Sequence, residues 1–173
     1  TISAAASPMH RARGVHTATL LDSGAVLVTG GDGGDEVLSA AEVYTPETGR
    51  WTAVDSMESR REFHTATLLP DGSVIVVGGA GDATIHATAE RFDPENGAWT
   101  PAGSSSVPRG GATATLLKNG TLLVVGGGDT RDVISSADIY DPASDVWRPT
   151  TSLPLARVAH SATLRDSGRV LVT

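Results

Sequence analysis

Four arginines recur at a fixed spacing of 48 residues, namely Arg13, Arg61, Arg109 and Arg157. A guanidinium group presents five N–H donors in a planar fork that matches a carboxylate. The series can therefore grip a carboxylate or an acidic peptide. The alternative is structural: each arginine bonds carbonyl groups or the acidic residue of a neighbouring unit, which suits a residue that every copy carries.

Histidines form a second series at the same spacing, comprising His16, His64 and His160, with Ala112 in the remaining place. Imidazoles that face one another can bind a metal ion. Each histidine here alternates with threonine on a predicted strand, and we expect each ring to bond a backbone group instead. The sequence predicts no metal site and no cofactor.

Other candidate chemistry is weaker. The acidic loop 32–36 lacks the ligand spacing of a calcium loop, and the glycines around it lack the Lys-Ser/Thr ending of a phosphate loop. The chain has no Cys, which excludes disulfides, thiolate zinc sites and a cysteine nucleophile. Catalytic groups usually break the symmetry of a repeat, and no Ser–His–Asp set does so here. We predict that the protein is not an enzyme.

Charge and hydropathy exclude several classes of partner. The net charge of −7 disfavours nucleic acids and anionic membranes, which need a basic surface. No apolar run approaches the roughly 20 residues that span a bilayer. Residues 1–7 contain no Met and no basic region, and we expect that they are not a signal peptide.

The whole chain is a repeat with a period of 48 residues and no insertion or deletion in three copies. The units are 8–55, 56–103 and 104–151. A partial unit spans 152–173, and residues 1–7 can act as its closing fourth strand. A fixed period of this length indicates one supersecondary unit that stacks on itself.

Each unit predicts four strands and no helix. In the first unit, Val15–Leu21 alternates small or polar with apolar residues, Val26–Val28 is a short apolar run, and Ala41–Tyr44 follows a variable loop. The fourth strand carries Trp51, and Gly-containing turns separate the strands. Four antiparallel strands cannot bury both faces of their sheet alone, so the sequence predicts an all-β fold, a β-propeller of four-stranded blades.

These residues resemble the kelch repeat, in its bacterial, galactose-oxidase-like branch. The shared marks are a double glycine after the second strand, an aromatic residue before a turn, and a Trp in the fourth strand. We predict structural roles for the recurring positions, with the aromatic residues packing in the core between blades: Gly30, Gly31, Gly78, Gly79, Gly126, Gly127, Tyr44, Phe92, Tyr140, Trp51, Trp99 and Trp147.

The resemblance has implications for function. The first strand of a kelch blade is innermost, so it places the recurring arginines and histidines near the mouth of the central channel, where they are candidate ligand-binding residues. Copper oxidase chemistry is excluded, because it needs a Cys crosslinked to a Tyr and this chain has no Cys. The resemblance also favours a secreted or extracytoplasmic location.

The number of blades leaves three possibilities open. Dividing 173 residues by 48 yields about 3.6 units, below or at the lower limit of the roughly 4–8 blades that close a ring. Two chains can pair into a ring of about seven blades, the chain can be a piece of a longer propeller, or it can close alone as a strained four-bladed ring. We predict the homodimer of half-propellers, because an open end exposes an apolar sheet face and unpaired strand edges.

The predicted function is therefore a non-catalytic module for protein binding or scaffolding that self-assembles. Its partners are a second copy of the chain and an acidic peptide or carbohydrate ligand. The alternatives are a lectin-like carbohydrate binder and an excised, non-catalytic part of a larger secreted galactose-oxidase-like protein.

Overall fold

The computed structural model describes residues 7–81, 83–129 and 131–173, and in them it is all-β. Fourteen strands form three complete four-stranded sheets and one hairpin. The predicted fold class is confirmed. No helix in these residues is long and apolar enough to cross a membrane.

The three complete sheets, called blades 1 to 3, repeat the same four strands. Blade 1 comprises β1 (Thr17–Leu20), β2 (Val26–Thr29), β3 (Ala41–Thr45) and β4 (Arg50–Val54). Blade 2 comprises β5 (Thr65–Leu68), β6 (Val74–Val77), β7 (Thr88–Asp93) and β8 (Ala98–Ser104). Blade 3 comprises β9 (Thr113–Leu116), β10 (Leu122–Val125), β11 (Ala137–Asp141) and β12 (Val146–Thr150). The terminal hairpin comprises β13 (Ala162–Leu164) and β14 (Val170–Val172).

Strands within a blade follow chain order, and every pair is antiparallel. The first strands of successive units contact one another, β1 with β5, β5 with β9 and β9 with β13, so they lie on the inside of the row. The described strands form an open row with blade 1 at one end and the terminal hairpin at the other, and they do not close a ring.

The core lies between blades rather than within them. Leu21, Leu27 and Ala41 of blade 1 pack against Val74 and Phe92 of blade 2 in one buried cluster. Blades 2 and 3 form the equivalent cluster around Ile75 and Tyr140. Each sheet therefore buries its apolar faces only against its neighbours, which is the physical reason why the unit repeats.

The first strand of each unit is shorter than predicted. Strand β1 begins at Thr17 because Val15 has a φ of 50°, and a residue in the left-handed region cannot continue a pleated strand. Phe63 and Ala159, at the same position of later units, have φ values of 52° and 51°. The backbone thus turns sharply just before it enters each innermost strand.

The closing strand predicted for residues 1–7 falls mostly outside the described residues, which begin at Ser7. The amide and the hydroxyl of Ser7 both donate to the carbonyl of Gly49, at 3.1 and 3.0 Å. One unit later, the Asp55 amide donates to the carbonyl of Gly97. Ser7 therefore lies against blade 1 as Asp55 lies against blade 2.

Candidate functional site

The recurring arginines lie inside their own blades. The guanidinium of Arg61 is fully buried, and its Nη1 donates to the carbonyls of Gly78 at 2.7 Å and Thr88 at 3.0 Å. Its Nη2 donates to Glu90 Oε1 at 2.9 Å. The guanidinium of Arg61 thereby joins the end of the second strand to the start of the third strand of blade 2.

Arg13 and Arg109 repeat this arrangement. Arg13 reaches Glu42 at 2.7 Å and Arg109 reaches Asp138 at 2.5 Å, and both side chains are buried. The structural alternative named carbonyl groups or the acidic residue of a neighbouring unit as partners. The carbonyl partners are present, but the acidic residue belongs to the third strand of the same blade.

The acidic partners Glu42, Glu90 and Asp138 were not predicted from the sequence, although they also recur every 48 residues. Each also accepts hydrogen bonds from the loop that enters its blade, as Glu42 does from the main-chain amides of His10 and Arg11. Burial alone would raise the pKa of Glu42, but the hydrogen bonds from His10, Arg13 and Arg11 outweigh it and lower the pKa to about 2. The carboxylate therefore stays charged at neutral pH.

The main chains of Arg61, Arg109 and Arg157 join their units to the preceding blade. The carbonyl of Arg61 accepts a hydrogen bond from the Gly31 amide at 2.8 Å, and the Arg61 amide donates to the carbonyl of Leu38. The approach is so close that a Cβ atom at Gly30 would lie 2.3 Å from the Arg61 carbonyl oxygen. Only glycine fits there, which explains the double glycine after each second strand.

The histidines lie between blades. His64 is buried, and its Nε2 lies 2.9 Å from Thr17 Oγ1 and 3.1 Å from Thr29 Oγ1 in the preceding blade. His160 makes the equivalent contact with Thr113 at 2.9 Å. The His64 ring also has the expected backbone partner, a hydrogen bond with the main chain of Arg61, and the threonine hydroxyls at Nε2 are partners that the sequence did not predict. Burial lowers the pKa of His64 to about 3, and the charge of Arg61 acts in the same direction.

The series is interrupted between blades 2 and 3. Ala112 occupies the histidine position there, and Thr65 Oγ1, which a histidine would reach, is buried without a hydrogen-bond partner. His16 belongs to blade 1, which has no blade before it among the described residues. These residues and the arginines stay predictions as ligand-binding groups. Within the described parts of the chain, no group of three His, Cys, Asp or Glu could hold a metal ion.

The aromatic residues form one tilted pair per blade. The rings of Tyr44 and Trp51 lie 5.1 Å apart, as do those of Phe92 and Trp99, and those of Tyr140 and Trp147 lie 4.9 Å apart. The indole N–H of Trp99 donates to the carbonyl of Asp55, and that of Trp147 donates to the carbonyl of Ala102, in each case on the preceding blade. The aromatic pairs therefore also link neighbouring sheets.

Comparison with known proteins agrees with this architecture. The family model described as the KLHDC2/KLHL20/DRC7 Kelch-repeats domain matches residues 2–173. The chain belongs to this kelch-repeat family. Such a domain indicates a protein-interaction propeller module, and kelch-repeat domains are generally non-catalytic.

A solved structure described as "Structure of YjhT" shares the fold. It matches with a TM-score of 0.77 at 17% identity, over 89% of this chain and 57% of that chain. The kelch segment thus spans little more than half the length of the structure that it matches. No curated protein sequence matches the chain.

At the inner edge of the kelch blades, the exposed side chains are apolar rather than basic. Val15 and Phe63, which lie two residues before β1 and β5 and have positive φ, are 46% and 50% exposed. Gly111 donates to the carbonyl of Phe63, and Ala159 donates to that of Gly111, so these three positions are linked by hydrogen bonds from blade 2 to the terminal hairpin. These positions were not predicted from the sequence, because nothing in their residue types signals a left-handed backbone.

A cleft of about 1040 Å³ opens between kelch blades 1 and 2, on the side of the short turns. Its lining includes Arg91, which stands where the other blades carry Val43 and Ile139. Arg91 pairs with Asp71 and donates to Ser73 Oγ at 2.6 Å. This ion pair breaks the repeat, and that irregularity was the sequence signal that could have identified the cleft.

The two ends of the row expose residues that the interior buries. Leu20 of blade 1 is 65% exposed, whereas Leu68, its equivalent in blade 2, packs against the first core cluster. At the other end, Leu171 is 50% exposed, whereas its equivalents Leu27 and Ile75 are fully buried. Each end therefore presents one half of a blade-to-blade contact.

Proposed function

We propose that this kelch segment is a non-catalytic module for protein binding and scaffolding that completes its ring by pairing with a second copy. The observation that carries the proposal is the pair of complementary end faces. One end offers Leu171 and the other offers Leu20, and the residues at these two positions in the first core cluster, Leu27 and Leu68, pack in the same contact between blades 1 and 2.

The chemistry of the interior contact favours a copy of the same chain as partner. In the first core cluster, Leu27 lies on the face of blade 1 that packs against blade 2. Leu68 and Phe92 lie on the face of blade 2 that packs against blade 1. A second chain related by a two-fold axis would bring its Leu20 face to the Leu171 face of the first, and the reverse at the other seam. Two chains of about 3.6 units make a ring of about seven blades, within the usual range.

Light scattering on the purified chain tests the pairing. We expect a species of about 35 kDa, twice the 17.7 kDa of one chain. Leu20→Arg should shift the mass to that of one chain, because it buries a charge in the seam. Val146→Arg is the matched control, since the first blade already carries Arg50 at that position, and it should leave the mass unchanged. A monodisperse wild type of 17.7 kDa would contradict the pairing.

A second candidate is that the chain is one section of a longer single-chain propeller. The coverage of only 57% of the matched structure favours it. The reading frame that encodes the chain distinguishes the two candidates. Further 48-residue units next to residues 1–173 would support the longer propeller and make pairing unnecessary.

A further inference from the structure

A long cationic side chain bridges blades 2 and 3 on the side of the short turns. Arg91 lies opposite Ile75 in the sheet, at the position that Val43 holds in blade 1. Its guanidinium pairs with Asp71, donates to Ser73 Oγ at 2.6 Å, and also donates to the hydroxyl of Tyr140 in blade 3. The joint between blades 2 and 3 is therefore closed by a basic side chain from within the chain.

The equivalent joint between blades 1 and 2 has no such side chain and is open. Val43 stands there in place of Arg91, and Phe92, which has no hydroxyl, stands in place of Tyr140. The space between the blades is the cleft of about 1040 Å³, and Val43 and Val54 line it as half-buried apolar side chains. The hydrocarbon stem of an entering basic side chain can pack against this wall.

The rim of the cleft is acidic. Arg91 is the one cation among the residues that line it, and the carboxylates that line it are those of Asp22, Asp71, Asp93 and Glu95. Asp71 already pairs with Arg91, and within the described chain no cation forms a salt bridge with the other three. The same four positions one unit later carry a single carboxylate, in the series Pro70, Asn119, Asp141 and Ala143. The excess of negative charge thus belongs to the open joint.

Contacts between the two blades hold the walls of the cleft in place. The Asp22 carboxylate lies against the turn between β5 and β6, where a Cβ atom on Gly72 would be 3.4 Å from Asp22 Oδ2. At the turn between β7 and β8, the Gly97 carbonyl accepts a hydrogen bond from the Asp55 amide at 3.3 Å. A ligand therefore meets a preformed site, which lowers the entropic cost of binding.

We propose that this cleft binds an extended peptide segment of a partner protein that carries an arginine between apolar residues. The arginine enters between blades 1 and 2 as Arg91 does between blades 2 and 3. Its stem packs on Val43 and Val54, and its guanidinium faces the carboxylates of the rim. The inference rests on the protein-binding part of the proposed function. It does not depend on pairing, because both walls belong to one chain.

The probe for the test is a dye-labelled, end-capped heptapeptide with a central arginine, a leucine on each side of it, and glycine and serine elsewhere. It is titrated against the full chain by fluorescence anisotropy at pH 7.5 and low salt. We expect saturable binding. The same peptide with citrulline, an uncharged residue of the same shape, in place of arginine should bind about tenfold more weakly, because it loses charge-assisted hydrogen bonds.

A charge on the rim assigns the binding to the cleft. Glu95→Gln should weaken binding of the arginine peptide about threefold, because an exposed ion pair contributes modestly. Glu47→Gln is the matched control, since Glu47 is the equivalent exposed residue on blade 1 and does not line the cleft. It should leave the affinity unchanged.

Val43→Arg gives blade 1 the arginine that blade 2 carries, and it should weaken peptide binding at least tenfold by occupying the cleft. The peptide pair and Glu95→Gln leave the core unchanged, so they remain decisive if Val43→Arg fails to fold. Absence of binding, equal affinity of the arginine and citrulline peptides, or equal effects of Glu95→Gln and Glu47→Gln would overturn the proposal. A chain of 17.7 kDa that binds the peptide would contradict pairing alone.

Discussion

Two contacts between blades in this chain share one backbone geometry and differ in the polar side chains that they bury. At the first joint, between blades 1 and 2, His64 fills the space beside Gly30 and its Nε2 contacts the hydroxyls of Thr17 and Thr29. At the second joint, between blades 2 and 3, Ala112 takes that position, and Thr65 Oγ1 is buried without a partner.

This difference shows what the recurring histidines contribute to the contact between blades. The second joint keeps its main-chain contacts, because the Gly79 amide still donates to the carbonyl of Arg109 at 2.9 Å. The histidine ring therefore adds a hydrogen bond and a buried side chain to a contact between blades that forms without it. One copy of the repeat can therefore lack the histidine, as it does at Ala112, and still pack against its neighbour.

The largest expected change in the free energy of unfolding comes from His64→Ala. This substitution places at the first joint the alanine that the second joint carries. It removes a buried ring and its contacts with the hydroxyls of Thr17 and Thr29, which keep only their mutual hydrogen bond at 2.8 Å. We expect a loss of about 2–4 kcal/mol in the free energy of unfolding. Urea unfolding at pH 7.5 measures it, with Glu47→Ala as a control on an exposed side chain. A loss no larger than that of the control would contradict the role of His64.

Acid should weaken the first joint. The folded-state pKa of His64 is about 3, below its ordinary value of 6.5, so below pH 6.5 the unfolded chain binds a proton that the folded chain excludes. This contribution to stability is complete above pH 6.5 and falls by about 1.4 kcal/mol per pH unit towards pH 3.

The comparison of wild type with His64→Ala isolates that contribution. Between pH 6.5 and 5 the difference in the free energy of unfolding between wild type and His64→Ala should narrow. Only wild type loses the stability that the neutral His64 ring contributes. Other groups titrate equally in both proteins and cancel. Parallel stability curves across this range would mean that the ring of His64 is not held neutral.

The smallest expected effect is a gain from Ala112→His, which gives the second joint the side chain of the first. Gly78, the equivalent of Gly30, leaves room for the ring, and Thr65 Oγ1 offers one hydrogen bond. We expect stabilisation by about 0.5–1.5 kcal/mol in urea unfolding. The same change with Thr65→Val should show no gain, since the acceptor is absent. A gain that persists in the double variant would show that packing, not the hydrogen bond, is responsible.

Sequence patterns predicted the parts of this fold that depend on periodicity. The 48-residue period, the glycine turns and the alternation of apolar residues place all four strands of each blade close to their observed bounds. The left-handed backbone at Val15 was not predictable, since valine usually avoids it. Neither was the register shift between Thr88 and Glu90 where β7 pairs with β8, because it depends on contacts between strands.

For the candidate site, the sequence identified the recurring arginines and histidines but not the groups that they contact. Arg61 and His64 were singled out by type and spacing, but spacing does not show where a side chain points. The carboxylate of Glu90 had the same period as Arg61 and could have been paired with it. The end faces at Leu20 and Leu171 look like interior positions in sequence, and only the arrangement of blades distinguishes them.

The central claim is that buried pairs such as Arg61 with Glu90 stabilise each kelch blade from inside. A double-mutant cycle on Arg61 and Glu90, followed by urea unfolding at pH 7.5, tests it most directly. Because each single change, Arg61→Met or Glu90→Gln, leaves a buried charge unpaired, we predict a loss of about 3–5 kcal/mol for each and a coupling energy of about 2 kcal/mol or more. Single variants as stable as wild type, with additive effects, would contradict the claim and return the arginines to a role in binding ligand.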